Sequence, residues 1–170
     1  MKLPAVGGIV ALAVVLVDQI VKAGVLAHSG RSEVNPTPLV PFLYLTLQRN
    51  RGISFSLFAS DSALGQAALL SLTLAATGLL AWWLFRSRSA LSAVGLGLIV
   101  GGALGNAIDR LAHGAVIDYL DLHAFGRHFF VFNIADAAIN IGVALLILDL
   151  LLVPRALTSR NQGSPPHGAM

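Results

Sequence analysis

The chain has 170 residues, of which 56% are hydrophobic and only 11% charged, with a mean hydropathy of +0.79; this exceeds what a soluble domain of that size can bury and makes a bilayer the solvent. At about 20 apolar residues per crossing, the length admits about four spans and one modest extramembrane element, and it excludes a second large domain. The net charge of +3 comes from scattered basic residues, with no stripe of the kind that follows a phosphate backbone, so nucleic acid is not an expected partner. The absence of cysteine excludes disulfides, thiol catalysis, Cys-ligated zinc and iron–sulfur clusters.

The first apolar run, about 5–27, follows Lys2. It is longer than the core of a secretion signal and is interrupted by Asp18 and Lys22, so it is expected to stay as a first membrane helix. Asp18 and Lys22 stand four apart with the acid first, the favourable order for pairing on one helix face or snorkelling toward an interface. After Pro36-Thr37-Pro38 the period changes. Leu43, Leu45 and Leu47 alternate with polar or amphipathic residues, and beyond Asn50-Arg51-Gly52 so do Ile53, Phe55 and Leu57; a small β element over about 39–58 follows, lying at the membrane surface because an open edge cannot sit in lipid. Three further helices are expected over about 63–85, 90–108 and 131–153, with a disordered tail over 154–170. Gly97, Gly101 and Gly105 share one face of the third helix and predict the closest packing there. The fold class is an all-α polytopic membrane protein with four transmembrane helices and a small sheet between helices 1 and 2.

The tight connection holding Arg86 and Arg88 reads as cytoplasmic by the positive-inside rule. Both termini then lie inside, and the polar stretch 109–128 lies outside. That stretch and the start of the fourth apolar run hold Asp109, Asp118, Asp121 and Asp136, a concentration of carboxylates that is costly near hydrocarbon. Asp109 reads as an ion pair with its neighbour Arg110, Asp121 as a solvated loop carboxylate, and Asp149 as an interfacial partner of Arg155. For Asp118 and Asp136 the spacing leaves two readings open, a buried pair with Arg110 or Arg127, or chemistry. There is no HExxH zinc motif, and His113, His123 and His128 lack the spacing and partners of a metal site. A GxSxG elbow and nucleotide-binding loops are also missing, which leaves two aspartates as the available catalytic pair. Readings from other classes are a small transporter or channel with intramembrane carboxylates, and a membrane scaffold packed through the glycine face.

Five segments taken together resemble the lipoprotein signal peptidase (signal peptidase II) family: Val17 to Lys22 (VDQIVK), Asn50 to Ser56 (NRGISFS), Gly101 to Arg110 (GGALGNAIDR), Val116 to Tyr119 (VIDY) and Phe132 to Ile139 (FNIADAAI). The box after Gly52 reads Ile53-Ser54 where the family usually carries two alanines. The resemblance implies four membrane helices with a periplasmic sheet, in a bacterial inner membrane. It implies an aspartyl endopeptidase, without cofactor or metal, that cuts diacylglyceryl-modified prolipoproteins just before the lipidated cysteine. Substrate and membrane lipids are its expected partners. Carried over by position, the catalytic aspartates are Asp118 and Asp136, and the supporting or substrate-binding residues are Asn106, Asp109, Arg110, Asn133, Asn50, Gly52, Asp18 and Lys22.

Overall fold

The computed structural model describes residues 2–29, 36–52, 63–124 and 127–161. Its elements, in chain order, are helix α1 (Leu3–Ser29), strands β1 (Thr37–Val40) and β2 (Leu43–Asn50), helices α2 (Ala63–Phe85) and α3 (Ala90–His113), strands β3 (Val116–Ala124) and β4 (Arg127–Phe132), and helix α4 (Ile134–Asn161). Each helix holds a stretch long and apolar enough to cross a bilayer. Large apolar side chains such as Leu12, Ile20, Leu72 and Leu150 remain exposed along them, as lipid-facing surfaces require.

α3 is the buried helix, with α1, α2 and α4 each packed directly on it. Two apolar surfaces gain little from meeting inside lipid, so close van der Waals approach has to hold the helices together. The glycine face provides it. A Cβ built on Gly101 would sit 2.6 Å from the Ala11 carbonyl oxygen of α1, and one on Gly97 would strike the backbone of Gly7. On another face, Gly95 and Gly102 meet α4 in the same way. Gly101→Val is therefore expected to force α1 off α3 and lower stability by about 1–3 kcal/mol, read as a lower melting temperature in detergent; an unchanged melt would contradict this packing.

Both ends of α3 are closed locally. The Ser89 side chain accepts from the Ser92 amide at 2.9 Å, and Gly114 takes the left-handed conformation, φ 67°, while its N–H reaches the Arg110 carbonyl. The helix thus runs past the expected end near 108 and carries Asp109 and Arg110 within its last turns.

The sheet differs from the expectation. Its strands follow the order β1-β2-β3-β4, all antiparallel, so half of it comes from the α3–α4 connection rather than from the segment between helices 1 and 2. Residues 131 and 132, expected to open the fourth helix, lie in β4, and α4 starts only after Asn133. Its helical backbone continues to Asn161, beyond the expected end at 153. Pro154 removes one backbone donor, yet the residues after it can keep the helical path. The proposed strand at Ile53, Phe55 and Leu57, the Ile53-Ser54 departure, and tail residues 162–170 lie outside the described residues.

Pairing of β2 with β3 brings both long connections to one end of the bundle. Ile117 and Tyr119 of β3 pack with Leu47 of β2 and Val25 of α1. Strand alternation turns Asp118, between them, to the other face.

Candidate active site

Asp118 lies in β3 opposite Gln48 of β2 and is buried. Its Oδ2 accepts from the Asn50 amide at 3.1 Å and its Oδ1 from the Asn133 amide at 2.7 Å. The orientation of Asn50 is fixed locally, because its own Oδ1 accepts the Gly52 N–H at 3.0 Å, an Asx turn that leaves only the NH2 to face Asp118. Arg110 secures that turn by donating to the Gly52 carbonyl at 3.1 Å.

Asp136 occupies the first turn of α4. Asn133 caps the helix: its Oδ1 accepts from the Asp136 N–H at 2.9 Å, and its own N–H donates to Asp136 Oδ2 at 3.3 Å. This is a capping box with aspartate in the reciprocal position. Asp136 Oδ1 also accepts from the Asn106 amide of α3 at 2.8 Å. Asn133, wholly buried, therefore holds Asp118 through its side chain and Asp136 through its main chain. Two carboxylates more than a dozen residues apart in the chain are tied to a single residue.

A second polar layer lies beneath, toward the bundle interior. Lys22 Nζ contacts Asp18 at 2.8 Å and Asp109 at 2.7 Å, and donates to Asn106 Oδ1 at 3.2 Å. Asn133 Nδ2 reaches the same Asn106 oxygen at 3.2 Å. With two donors on its oxygen, Asn106 can present only its NH2 to Asp136. Each acid of this layer also fixes backbone. Asp18 Oδ1 accepts from the Ala135 N–H of α4, and Asp109 Oδ2 from the Ile117 N–H of β3, both at 3.0 Å. The layer thus locks the two segments on which Asp136 and Asp118 stand.

All ten residues carried over from the family resemblance belong to this one connected network, but several partners differ from expectation. Asp109 pairs with Lys22 rather than with Arg110, whose contact is Gly52. Asp18 and Lys22 do pair, yet buried rather than snorkelling. Neither Arg110 nor Arg127 bonds Asp118 or Asp136; asparagines do. Asp121 is not a solvated carboxylate: it is buried in β3 and contacts His128 across the β3–β4 pair at 2.8 Å. Asp149 accepts from Ser89 at 2.8 Å and from Ser92 at 2.5 Å, at the start of α3. Gln19 was missed. Its amide donates to Asp18, the Gly105 carbonyl and Asp109, and a polar residue inside an apolar run was the available signal.

Burial pushes the Asp118 carboxyl up to about 7, and the nearby charge of Asp136 acts in the same direction. The Asn50 and Asn133 donors and the Lys22 charge oppose this without cancelling it. Among the described residues no cluster of three or more His, Cys, Asp or Glu side chains is placed to hold a metal ion. What the geometry offers is a pair of carboxylates joined through Asn133, at the sheet end of a membrane bundle.

The signal peptidase II family profile matches residues 10–152. The chain belongs to the signal peptidase II family. Lipoprotein signal peptidases of Beijerinckia indica and Methylorubrum extorquens are 46% and 45% identical to it, over 94% and 95% of this chain and 92% and 95% of theirs. Two bacterial membrane enzymes solved by the in meso method share the fold. The first gives a TM-score of 0.75 at 26% identity, covering 98% of this chain and 94% of the other. The second gives 0.73 at 29%, covering 86% and 93%. As a member of the signal peptidase II family the protein is a membrane-embedded, multi-pass protease, which sets aside the transporter and scaffold readings.

Proposed function

We propose that the protein removes the signal peptide from diacylglyceryl-modified prolipoproteins, cutting just before the lipidated cysteine, with Asp118 and Asp136 as the catalytic pair. The observation that carries this reading is the Asn133 bridge, with its 2.7 Å contact to Asp118 and 3.3 Å contact to Asp136. Asp136 is the base. It stands at the head of α4 and accepts from the Asn106 amide and the Asn133 N–H. Asp118, held up to about 7, carries the proton.

In the reaction, water gives a proton to Asp136 while its oxygen attacks the scissile carbonyl carbon, and Asp118 protonates the carbonyl oxygen. The diol that forms then collapses. The C–N bond breaks, Asp136 passes its proton to the leaving amine, and Asp118 recovers the hydroxyl proton, so both acids return to their starting states without a covalent enzyme intermediate. Asn50, Asn106 and Asn133 keep the carboxylates aimed, and Arg110 anchors the Asn50 turn. The substrate's acyl chains stay in the bilayer, each buried methylene contributing about 0.8 kcal/mol, so lipid retention supplies much of the affinity.

The membrane is the bacterial inner membrane, with both termini cytoplasmic and the sheet and site at the periplasmic face. Supporting this, Arg86 and Arg88 occupy the α2–α3 turn at the end away from the sheet, and the Arg86 guanidinium lies 4.1 Å from the Trp82 ring centroid, a pairing suited to a headgroup region. The reading is tested by incubating the pure protein with a precursor in lipidated and unlipidated forms. Shortening of the lipidated form alone is expected; equal processing of both would contradict the role given to the lipid.

The pH dependence follows from Asp118. A carboxyl raised to about 7 stays protonated below that pH and supplies the acid, and the acid is lost as pH rises through about 7. kcat/KM is therefore expected to fall about tenfold per pH unit on the alkaline side. A profile flat from pH 6 to 9 would contradict the assignment.

A further inference from the structure

Asn140 is an exposed amide in α4, whose other exposed residues between Ile134 and Leu152 are apolar. α4 meets α3 through Ala135, Ile139 and Gly142, and meets α1 where the Ala135 N–H reaches Asp18. At 3.6 residues per turn, Asp136, Asn140, Val143 and Ile147 form a stripe on the flank turned away from α1. Val143 and Ile147 are exposed on this stripe. Among the described residues α2 and α4 make no extended contact, each packing on α3 instead. The stripe therefore borders an open furrow floored by α3, and the furrow ends at Asp136. The Asn140 NH2 donates back to the Asp136 carbonyl at 3.0 Å, which leaves Oδ1 without a partner among the described residues. A bare amide oxygen in hydrocarbon is costly.

We infer that Asn140 is a substrate-binding residue whose Oδ1 accepts a backbone N–H from the signal-peptide arm of the prolipoprotein as that arm lies in the furrow between α2 and α4. The inference rests on the peptidase reading. The occupant is the signal-peptide arm because it is the part of the substrate that runs from the scissile bond back into the bilayer, whereas the mature protein leaves toward water. α4 descends from the sheet, so Asn140 lies four residues, about 6 Å, deeper than Asp136. An extended chain covers that distance in about two residues at roughly 3.3 Å each. Chain that is extended for cleavage has N–H groups free of helical bonds, and one of them, about two residues before the scissile bond, meets Asn140. Pairing satisfies both groups out of water.

The test uses the full chain in lipid nanodiscs with a synthetic diacylglyceryl-modified peptide. A single ester replaces the amide at each of the three residues before the scissile bond in turn, which removes one N–H without changing shape. For the parent enzyme, the ester near the second residue is expected to lower kcat/KM about tenfold. For Asn140→Leu, the ordinary peptide should show a similar loss, and the ester at that residue should cost less than about twofold more. An ester penalty as large in Asn140→Leu as in the parent at every position would overturn the inference, because the variant's loss would then be structural. A parent that left the ordinary peptide uncut would instead remove the peptidase reading beneath it, an outcome distinct from the other two.

Discussion

Asp136→Asn is expected to lower cleavage of a lipidated precursor by about 10⁴-fold, the upper end of what one acid–base group contributes, because Asp136 serves twice, first taking the proton from water and then giving it to the leaving amine. An amide of the same shape can still cap α4 through the Asn133 N–H but can do neither. Asp118→Asn removes the acid and is expected to be as severe. Insertion and folding are expected to remain, with a changed pH dependence of stability. The native Asp118 carboxyl is raised to about 7, so between roughly pH 4 and 7 the folded protein binds more protons at this site than the unfolded chain, and stability falls as pH rises across that window. Asp118→Asn lacks this loss. Its melting temperature should therefore shift in its favour, relative to the parent, between pH 5 and pH 8. Either variant retaining a tenth of parental activity would remove its aspartate from the catalytic pair.

The second large effect concerns Lys22, which touches no substrate. Lys22→Met leaves the buried carboxylates of Asp18 and Asp109 without their counter-charge. Removing one partner of a buried ion pair costs about 3–5 kcal/mol. The damage should spread along defined bonds. Asp18 holds the start of α4 at the Ala135 amide, and Asp109 holds β3 at the Ile117 amide, so amide hydrogen exchange should rise at both places. Adding Asp18→Asn to Lys22→Met removes one stranded charge, and the double variant should be less destabilised than the sum of the two single ones. Simple additivity, with a melting temperature for Lys22→Met close to the parent's, would mean that the layer beneath the pair contributes no net electrostatic support.

Why some of this was legible in the sequence and some was not follows from the physics of each signal. Long apolar runs and a four-residue glycine spacing are local patterns, and they mark the four helices and the glycine face of α3 directly. The β3–β4 hairpin gave no such pattern. Ile117 and Tyr119 face the core while Asp118 faces the site, so both sides of β3 are buried, and a strand buried on both faces loses the polar–apolar alternation that announces strands. Val131 and Phe132, aromatic or apolar, blended into the helical run that follows. Partners were misjudged where adjacency in sequence stood in for adjacency in space. Asp109 and Arg110 are consecutive, but consecutive helical residues point about 100° apart, one toward Lys22 of α1 and the other toward Gly52. Asp121 finds its partner in a cross-strand histidine, and Asp149 in serines at the start of another helix. Asp118 and Asp136 drew attention because carboxylates near hydrocarbon are rare enough to stand out, and their catalytic role is what the family resemblance implies. The asparagines that aim them carry no charge and came forward only through the family resemblance.

The most direct measurement is mass spectrometry of a diacylglyceryl-modified precursor incubated with the pure protein in oxygen-18 water. The account predicts two products, a chain beginning at the lipidated cysteine and a released signal peptide whose new terminal carboxylate carries one heavy oxygen. An intact precursor, or a cut at any other bond, would contradict it.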